Sequence, residues 1–201
     1  MLNLKKVAIT GGLSSGKTTV CKIFRDLGAY TVSSDEIVHN LLENNRTLQR
    51  QITHLLGSDI LTNNLPDREK IAKQVFLNPE KLQALEGLIH PAVFHEIESH
   101  YDKVKNDNTY TLFVAEVPLL YESKGQENFD AVITVLSEEK KCKERFKAIT
   151  NKSESQFDDR MMRQMPPEAK AAKANYLIMN NDSIEKLQAQ VAQLSSKLRS
   201  I

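Results

Sequence analysis

The sequence predicts an α/β protein: a parallel β-sheet with helices on both faces. Three observations predict it. Short, continuously apolar runs alternate with stretches of helical period. The first two runs flank a glycine-rich turn and one helix, all within the span of a single βαβ unit. The chain has 201 residues, 40% hydrophobic and 26% charged, enough for one domain with a substantial core.

The first strand candidate is Val7–Thr10, followed by the turn Gly11–Gly16. Val20, Ile23, Phe24 and Leu27 then form one helical stripe, and Gly28 stands in the stop position. Ala29–Val32 is the second strand candidate, and Leu112–Ala115, Ala131–Val135 and Tyr176–Ile178 are three more. From Ile37 to Tyr101 the pattern is helical with no clear strand, too long for a simple crossover. Thr150–Lys173 is polar, punctuated by Pro166-Pro167, and suits a mobile flap. The last helix places Ile184, Leu187, Val191, Leu194 and Leu198 at spacings of three and four. That stripe favours docking on the sheet over a coiled-coil dimer, because the heptad phase is short. Asp182 with Glu185 has the spacing of a capping box.

Composition excludes several classes. With 27 Lys+Arg against 26 Asp+Glu, the formal charge is +1, which excludes a uniformly basic nucleic-acid surface but leaves room for a local anion pocket. Two distant cysteines, Cys21 and Cys142, make no disulfide framework and suit a reducing compartment. No apolar run approaches a membrane span, and Met1–Lys6 shows no secretory h-region. The expectation is a cytoplasmic protein without membrane or nucleic-acid partners. His95 and His100 sit five apart, off a common helix face, so a zinc site is not expected.

The strongest motif is Gly11-Gly12-Leu13-Ser14-Ser15-Gly16-Lys17-Thr18, a full match to G-x-x-x-x-G-K-[ST]. Gly11 and Gly16 let the backbone turn several N–H groups onto one anion. The next helix adds its positive end. Lys17 supplies a compact cation for the β- and γ-phosphates, and Thr18 a hydroxyl for Mg²⁺. Gly12, Leu13, Ser14, Ser15, Gly16, Lys17, Thr18 and Thr19 are therefore the expected nucleotide cradle. No glycine has Asp three residues before it, which argues against a GTPase switch. Asn151-Lys152-Ser153-Glu154 reads as a solvated loop rather than a guanine reader. Leu112–Glu116 is only a loose match to a Walker-B strand. A small kinase suits the length. Asp35 follows the second strand on the edge where parallel strands open to ligand. By position it is either a catalytic acid or a helix N-cap for a helix starting at Glu36.

Further segments carry a resemblance. The phosphate loop, Asp35, Leu88-Ile89-His90-Pro91, Val117-Pro118-Leu119-Leu120-Tyr121-Glu122, Asp67–Ala72 and Gln164–Lys170 with Ala174–Asn180 occur in order. Together they resemble the dephospho-CoA kinase family over essentially the whole chain. The resemblance implies a three-layer P-loop kinase fold: a five-stranded parallel sheet, a helical acceptor-binding insertion and a lid. In this chain that means core segments 1–36, 108–145 and 174–201, an insertion at 37–107 and a lid at 146–173. It implies transfer of the γ-phosphate of ATP, with Mg²⁺, to the ribose 3′-hydroxyl of dephospho-CoA.

The residue roles it implies are specific. Asp35 is the catalytic acid and, with Thr18, a metal ligand. Arg68 and His90 face the acceptor; the extended bias of a residue before proline separately suggests that His90-Pro91 begins a helix. Pro118, Leu119 and Leu120 form a crevice wall, with Glu122 a structural acid. Arg145 and Asn180 lie on the nucleotide side, and Arg160 and Arg163 belong to the lid. Three positions depart from the family's usual pattern: Ile149 for Arg, Asn175 for Asp, Ser33 for Asp. A monomer is expected, with weak self-association left open. Another nucleoside or nucleotide kinase is the alternative activity, and a non-enzymatic ATP-binding regulator the more distant one.

Overall fold

A computed structural model describes residues 4–76 and 78–200. The five apolar runs become five parallel strands: β1 (Lys6–Gly11), β2 (Tyr30–Ser33), β5 (Phe113–Glu116), β6 (Ala131–Leu136) and β7 (Tyr176–Met179), in the order β2-β5-β1-β6-β7. β1 is central and buried along its whole length, which explains its uninterrupted apolar character. Its register pairs Ala8 with Ala115 on one side and with Val132 on the other.

Contacts divide the chain into two compact units, 1–33 with 100–201, and 34–99. In the first unit, α1 (Lys17–Asp26) and α9 (Ile184–Arg199) pack together on the sheet. Val20, Phe24, Leu187, Val191 and Leu198 meet Val7, Ile9, Val114 and Ile133 in one core cluster. The docking reading of α9 therefore holds. Its N-cap is Ser183 rather than Asp182, and Ser183 also holds Glu185, whose carboxyl is pushed below its usual range by that hydrogen bond. The expected Asp182 box is not formed. α8 (Pro167–Lys173) packs against β6 and β1. At the outer edge, the Gln190 side chain donates to Met179 O at 3.0 Å and accepts from Met179 N at 3.2 Å.

The polar stretch after β6 folds as α6 (Glu139–Thr150), α7 (Glu154–Met161) and α8. Ser153 and Gln156 form a complete capping box at the start of α7, and Pro167 opens α8, where a missing N–H does no harm.

The second unit contains α2 (Ser34–Asn44), α3 (Arg46–Leu56), a hairpin of β3 (Leu61–Thr62) and β4 (Leu65–Pro66), α4 (Arg68–Phe76) and most of α5 (Pro79–Val104). The hairpin corrects the all-helical reading of this segment. Its two turn residues, Asn63 and Asn64, both have positive φ, 52° and 64°, the mirror-image turn that Asn tolerates best after Gly. Two-residue strands carry too little alternation to register in sequence. A second correction concerns His90-Pro91. It begins no helix, because α5 runs straight through it with Pro91 inside. The helix instead starts after Asn78, whose side chain accepts from Lys81 N at 3.0 Å. Pro91 has no N–H to give the Gly87 carbonyl one turn back.

Candidate active site

The phosphate loop joins β1 to α1 at the carboxyl edge of the sheet. Gly16 caps α1 in the left-handed region, φ 100°, where only glycine is at ease. A Cβ there would also run into the Asn180 side-chain amide. Lys17, only 8% exposed, curls back so that Nζ donates to the carbonyls of Gly12 at 2.8 Å and Gly11 at 3.4 Å. Ser15 Oγ is buried within the loop with no hydrogen-bond partner. Leu13 packs against the cluster of Cys142, Phe146 and Phe157, anchoring the loop to α6 and α7. Ser14 takes a positive φ of 55°, and Thr19 is half-buried in the first turn of α1. The residues from Gly12 to Thr19 thus run from the end of β1 through the loop into the first turn of α1.

Asn180 and Arg145 hold this loop from behind. Asn180 Nδ2 donates to Ser15 O at 2.8 Å. Arg145 donates through Nη1 to Ser15 O at 3.5 Å and Ser137 Oγ at 3.1 Å, and through Nη2 to Asn180 O at 3.0 Å. Both residues are therefore bonded to the loop's own backbone.

Glu116, at the end of β5, was only part of a loose motif in the sequence. Its carboxylate accepts from Thr18 Oγ1 at 3.0 Å and is 92% shielded, since the residue is 8% exposed. Cys21, behind it, has its thiol pushed well up, first by burial and next by the Glu116 charge. The signal that would have found Glu116 is an acid ending a buried strand beside the phosphate loop's own strand, a pairing invisible without the sheet order. A hydroxyl and a carboxylate at hydrogen-bond distance are the hard oxygen donors that Mg²⁺ takes directly or through water. No group of three His, Cys, Asp or Glu side chains suited to a metal occurs among the described residues, so the phosphates themselves would complete such a site.

In the segment after β6, Arg160 lies over the Phe146 ring at 5.4 Å, and Arg163 is exposed after α7. Lys143 bridges Glu139 at 2.7 Å and Asp158 at 2.9 Å, and these carboxylates push its ammonium pKa upward. A cavity of about 270 Å³ lies between the loop and these helices, with Gly12, Leu13, Ser15, Cys142, Phe157 and Met161 in its wall. Pro118 and Leu119 are half-buried and Leu120 fully buried in the turn after β5. Glu122 pairs with the buried Lys170 at 2.8 Å, a structural acid as expected.

In the second unit, Asp35 is the second residue of α2 and lies exposed in its first turn. α2 starts at Ser34, so Asp35 is not the N-cap of a helix beginning at Glu36. Arg68 opens α4, exposed. Asp67 before it caps the helix, accepting from Glu69 N at 2.9 Å and Lys70 N at 3.2 Å. His90 is half-buried in mid-α5.

The dephospho-CoA kinase family model, CoaE, matches residues 5–186. The chain belongs to the dephospho-CoA kinase family. It is therefore a kinase, and the family carries the last step of CoA biosynthesis. A dephospho-CoA kinase of Protochlamydia amoebophila (strain UWE25) is 46% identical over 200 residues, covering 99% of this chain and 98% of the relative. Among solved structures, one titled TT1252 from Thermus thermophilus superposes with TM-score 0.82 at 26% identity, and dephospho-CoA kinase from Campylobacter jejuni with TM-score 0.70 at 25% identity. Each pairing covers 96% of both chains.

Within this dephospho-CoA kinase family member, the three departures have visible surroundings. Asn175 Oδ1 accepts from Val132 N at 2.8 Å and Asn175 N donates to Val132 O at 3.0 Å, so an amide there closes the start of β6. Ser33 ends β2. Ile149 is 79% exposed near the end of α6, and nothing in the structure explains it.

Proposed function

We propose that the chain transfers the γ-phosphate of ATP to the ribose 3′-hydroxyl of dephospho-CoA, giving CoA and ADP. The observation that carries this reading is the buried Lys17 folded onto its glycine loop, in a chain matched by the family over residues 5–186. Lys17 exchanges its carbonyl partners for the β- and γ-phosphates, and the loop amides from Gly12 to Thr19 accept the remaining charge. Asn180 and Arg145 hold the Ser15 carbonyl outward, which keeps the loop's N–H groups facing the ligand side.

Thr18 and Glu116 would hold Mg²⁺, with Asp35 as a further oxygen donor. When bound, the ion neutralises charge on the phosphate oxygens during transfer. Asp35 accepts the proton of the attacking hydroxyl and orients it. Arg68 and His90 recognise the acceptor, the Pro118–Leu120 turn forms a wall beside it, and Arg160 and Arg163 bring lid charge to the transferring group. Catalysis here is positioning and electrostatics. The reading includes a monomeric, cytoplasmic enzyme without nucleic-acid partners, and the two buried free thiols, Cys21 and Cys142, suit a reducing compartment.

The test is a panel of acceptors with ATP and Mg²⁺: dephospho-CoA, AMP, CMP, uridine and shikimate. ADP formation with dephospho-CoA alone is expected. ADP formation only with another acceptor, or ATP binding without acceptor-dependent turnover, would overturn the reading.

A further inference from the structure

Lys170 is 0% exposed, and lysines are almost never fully buried unless paired. Its ammonium lies 2.8 Å from Glu122 Oε1 and donates to the Pro118 carbonyl at 2.7 Å. The same Pro118 oxygen accepts from Thr10 Oγ1 at 3.1 Å, so both of its lone pairs are engaged. Glu122 Oε1 also accepts from Met165 N at 2.8 Å, and the Lys170 carbonyl accepts from Thr134 Oγ1 at 3.3 Å. The ammonium itself joins Glu122 and the turn after β5; through the Pro118 oxygen it shares a partner with Thr10 at the end of β1, and through Glu122 with Met165, while β6 is held by the Lys170 main chain. One turn earlier on α8, Pro167 lies 2.9 Å from where a Gly12 Cβ would stand. The short helix therefore touches the phosphate loop with Pro167 and the 118–122 turn with Lys170.

We infer that Lys170, acting with Glu122, is a positioning residue for phosphoryl transfer: it fixes the Pro118–Leu120 turn relative to the phosphate loop. This rests on the proposed reaction, in which that turn walls the acceptor. Stability alone is a poor account of the pair, because replacing a buried ion pair by apolar residues of similar volume is often neutral or stabilising. An apolar side chain would fill the space, but it would donate nothing to the Pro118 carbonyl.

The experiment uses the full chain with Glu122→Gln and Lys170→Met together, which removes both charges and nearly keeps the volume. The double variant should melt close to the parent. Its kcat/KM for dephospho-CoA should fall roughly 10- to 100-fold, the scale of an ångström-sized misplacement of reacting groups. The loss should appear mainly in the KM for dephospho-CoA, with the KM for ATP unmoved. A pair serving only stability would lower the active fraction and leave both KM values alone, and that outcome overturns the inference. If the double variant does not fold, Glu122→Gln with Lys170→Leu again leaves no buried charge unpaired and no donor on the Pro118 carbonyl, and should shift the same KM in the same direction. Hydrogen exchange gives a readout independent of turnover. The amides of Ser123–Gly125, which close onto Leu119–Tyr121, should lose protection in the variant. Unchanged protection overturns the inference. A parent that fails to phosphorylate dephospho-CoA, with the protection loss still seen, counts against the proposed reaction alone.

Discussion

Two lysines near the glycine loop are buried and held differently. Among the partners of Lys17 Nζ are two backbone carbonyls, those of Gly11 and Gly12. Lys170 Nζ rests on a carboxylate and a carbonyl, sealed from solvent. Hydrogen bonds to ionised acceptors are about twice as strong as neutral ones. An arriving polyphosphate can outcompete carbonyls for Lys17, whereas no ligand gains by drawing Lys170 from Glu122. The first arrangement suits a group that must change partners in each cycle, and the second a group that must not.

The largest effect should come from breaking the exchangeable side. Lys17→Met should lower turnover by ~10³-fold, the scale of losing one preorganised charge-stabilising donor, while the melting temperature barely moves. A variant with near-parent turnover would remove Lys17 from the chemistry. Asp35→Asn should lower turnover by ~10²-fold, within the range of a positioned proton acceptor. Titration calorimetry should show ATP affinity retained. Equal losses in affinity and turnover would return Asp35 to a structural role at the start of α2.

The fixed side should answer in stability instead. Lys170→Met alone leaves Glu122 uncompensated and should destabilise by about 3 kcal/mol, whereas the double variant with Glu122→Gln should not. Thermal melts of the single and double variants check this. Equal melts for both would mean the two charges are not coupled. The smallest effect belongs to an exposed charge. The carboxyl of Asp67 is held below its usual 3.8 by the Lys70 amide, then by the Thr62 hydroxyl. A folded value below the unfolded one adds stability above about pH 4 that fades as pH falls through the lowered value. Asp67→Ala should therefore melt slightly below the parent at pH 7, and the gap should narrow at pH 2. A gap that widens in acid would refute the capping account.

What the sequence revealed follows the range of the interactions. The phosphate loop and the five strands are local patterns, and each lies within a few residues of where it reads. The β3–β4 hairpin was missed because four strand residues offer no period. The helix through His90-Pro91 was missed because a proline read alone argues for a boundary, while Asn78 and the apolar spacing farther back carry the helix across it. Asn180 was legible as a residue beyond the last strand, but its grip on Ser15 spans 165 positions. Glu116 needed the β1–β5 pairing, and Lys170 needed a contact 52 positions away. Residues within a local motif were visible, whereas Glu116 and Lys170, whose partners lie on other strands and turns, were not.

The Gln190 side chain at the rim of the sheet has a consequence beyond the reaction. An edge strand offers unpaired amides and carbonyls, and so invites another chain to add to it. At Met179 both groups are already met by one carboxamide, which imitates the next strand without being one. The exposed Leu177 and Met179 side chains would otherwise make this edge a seed for fibrous self-assembly. One glutamine on the last helix thus occupies both main-chain groups of Met179 that a further strand would need.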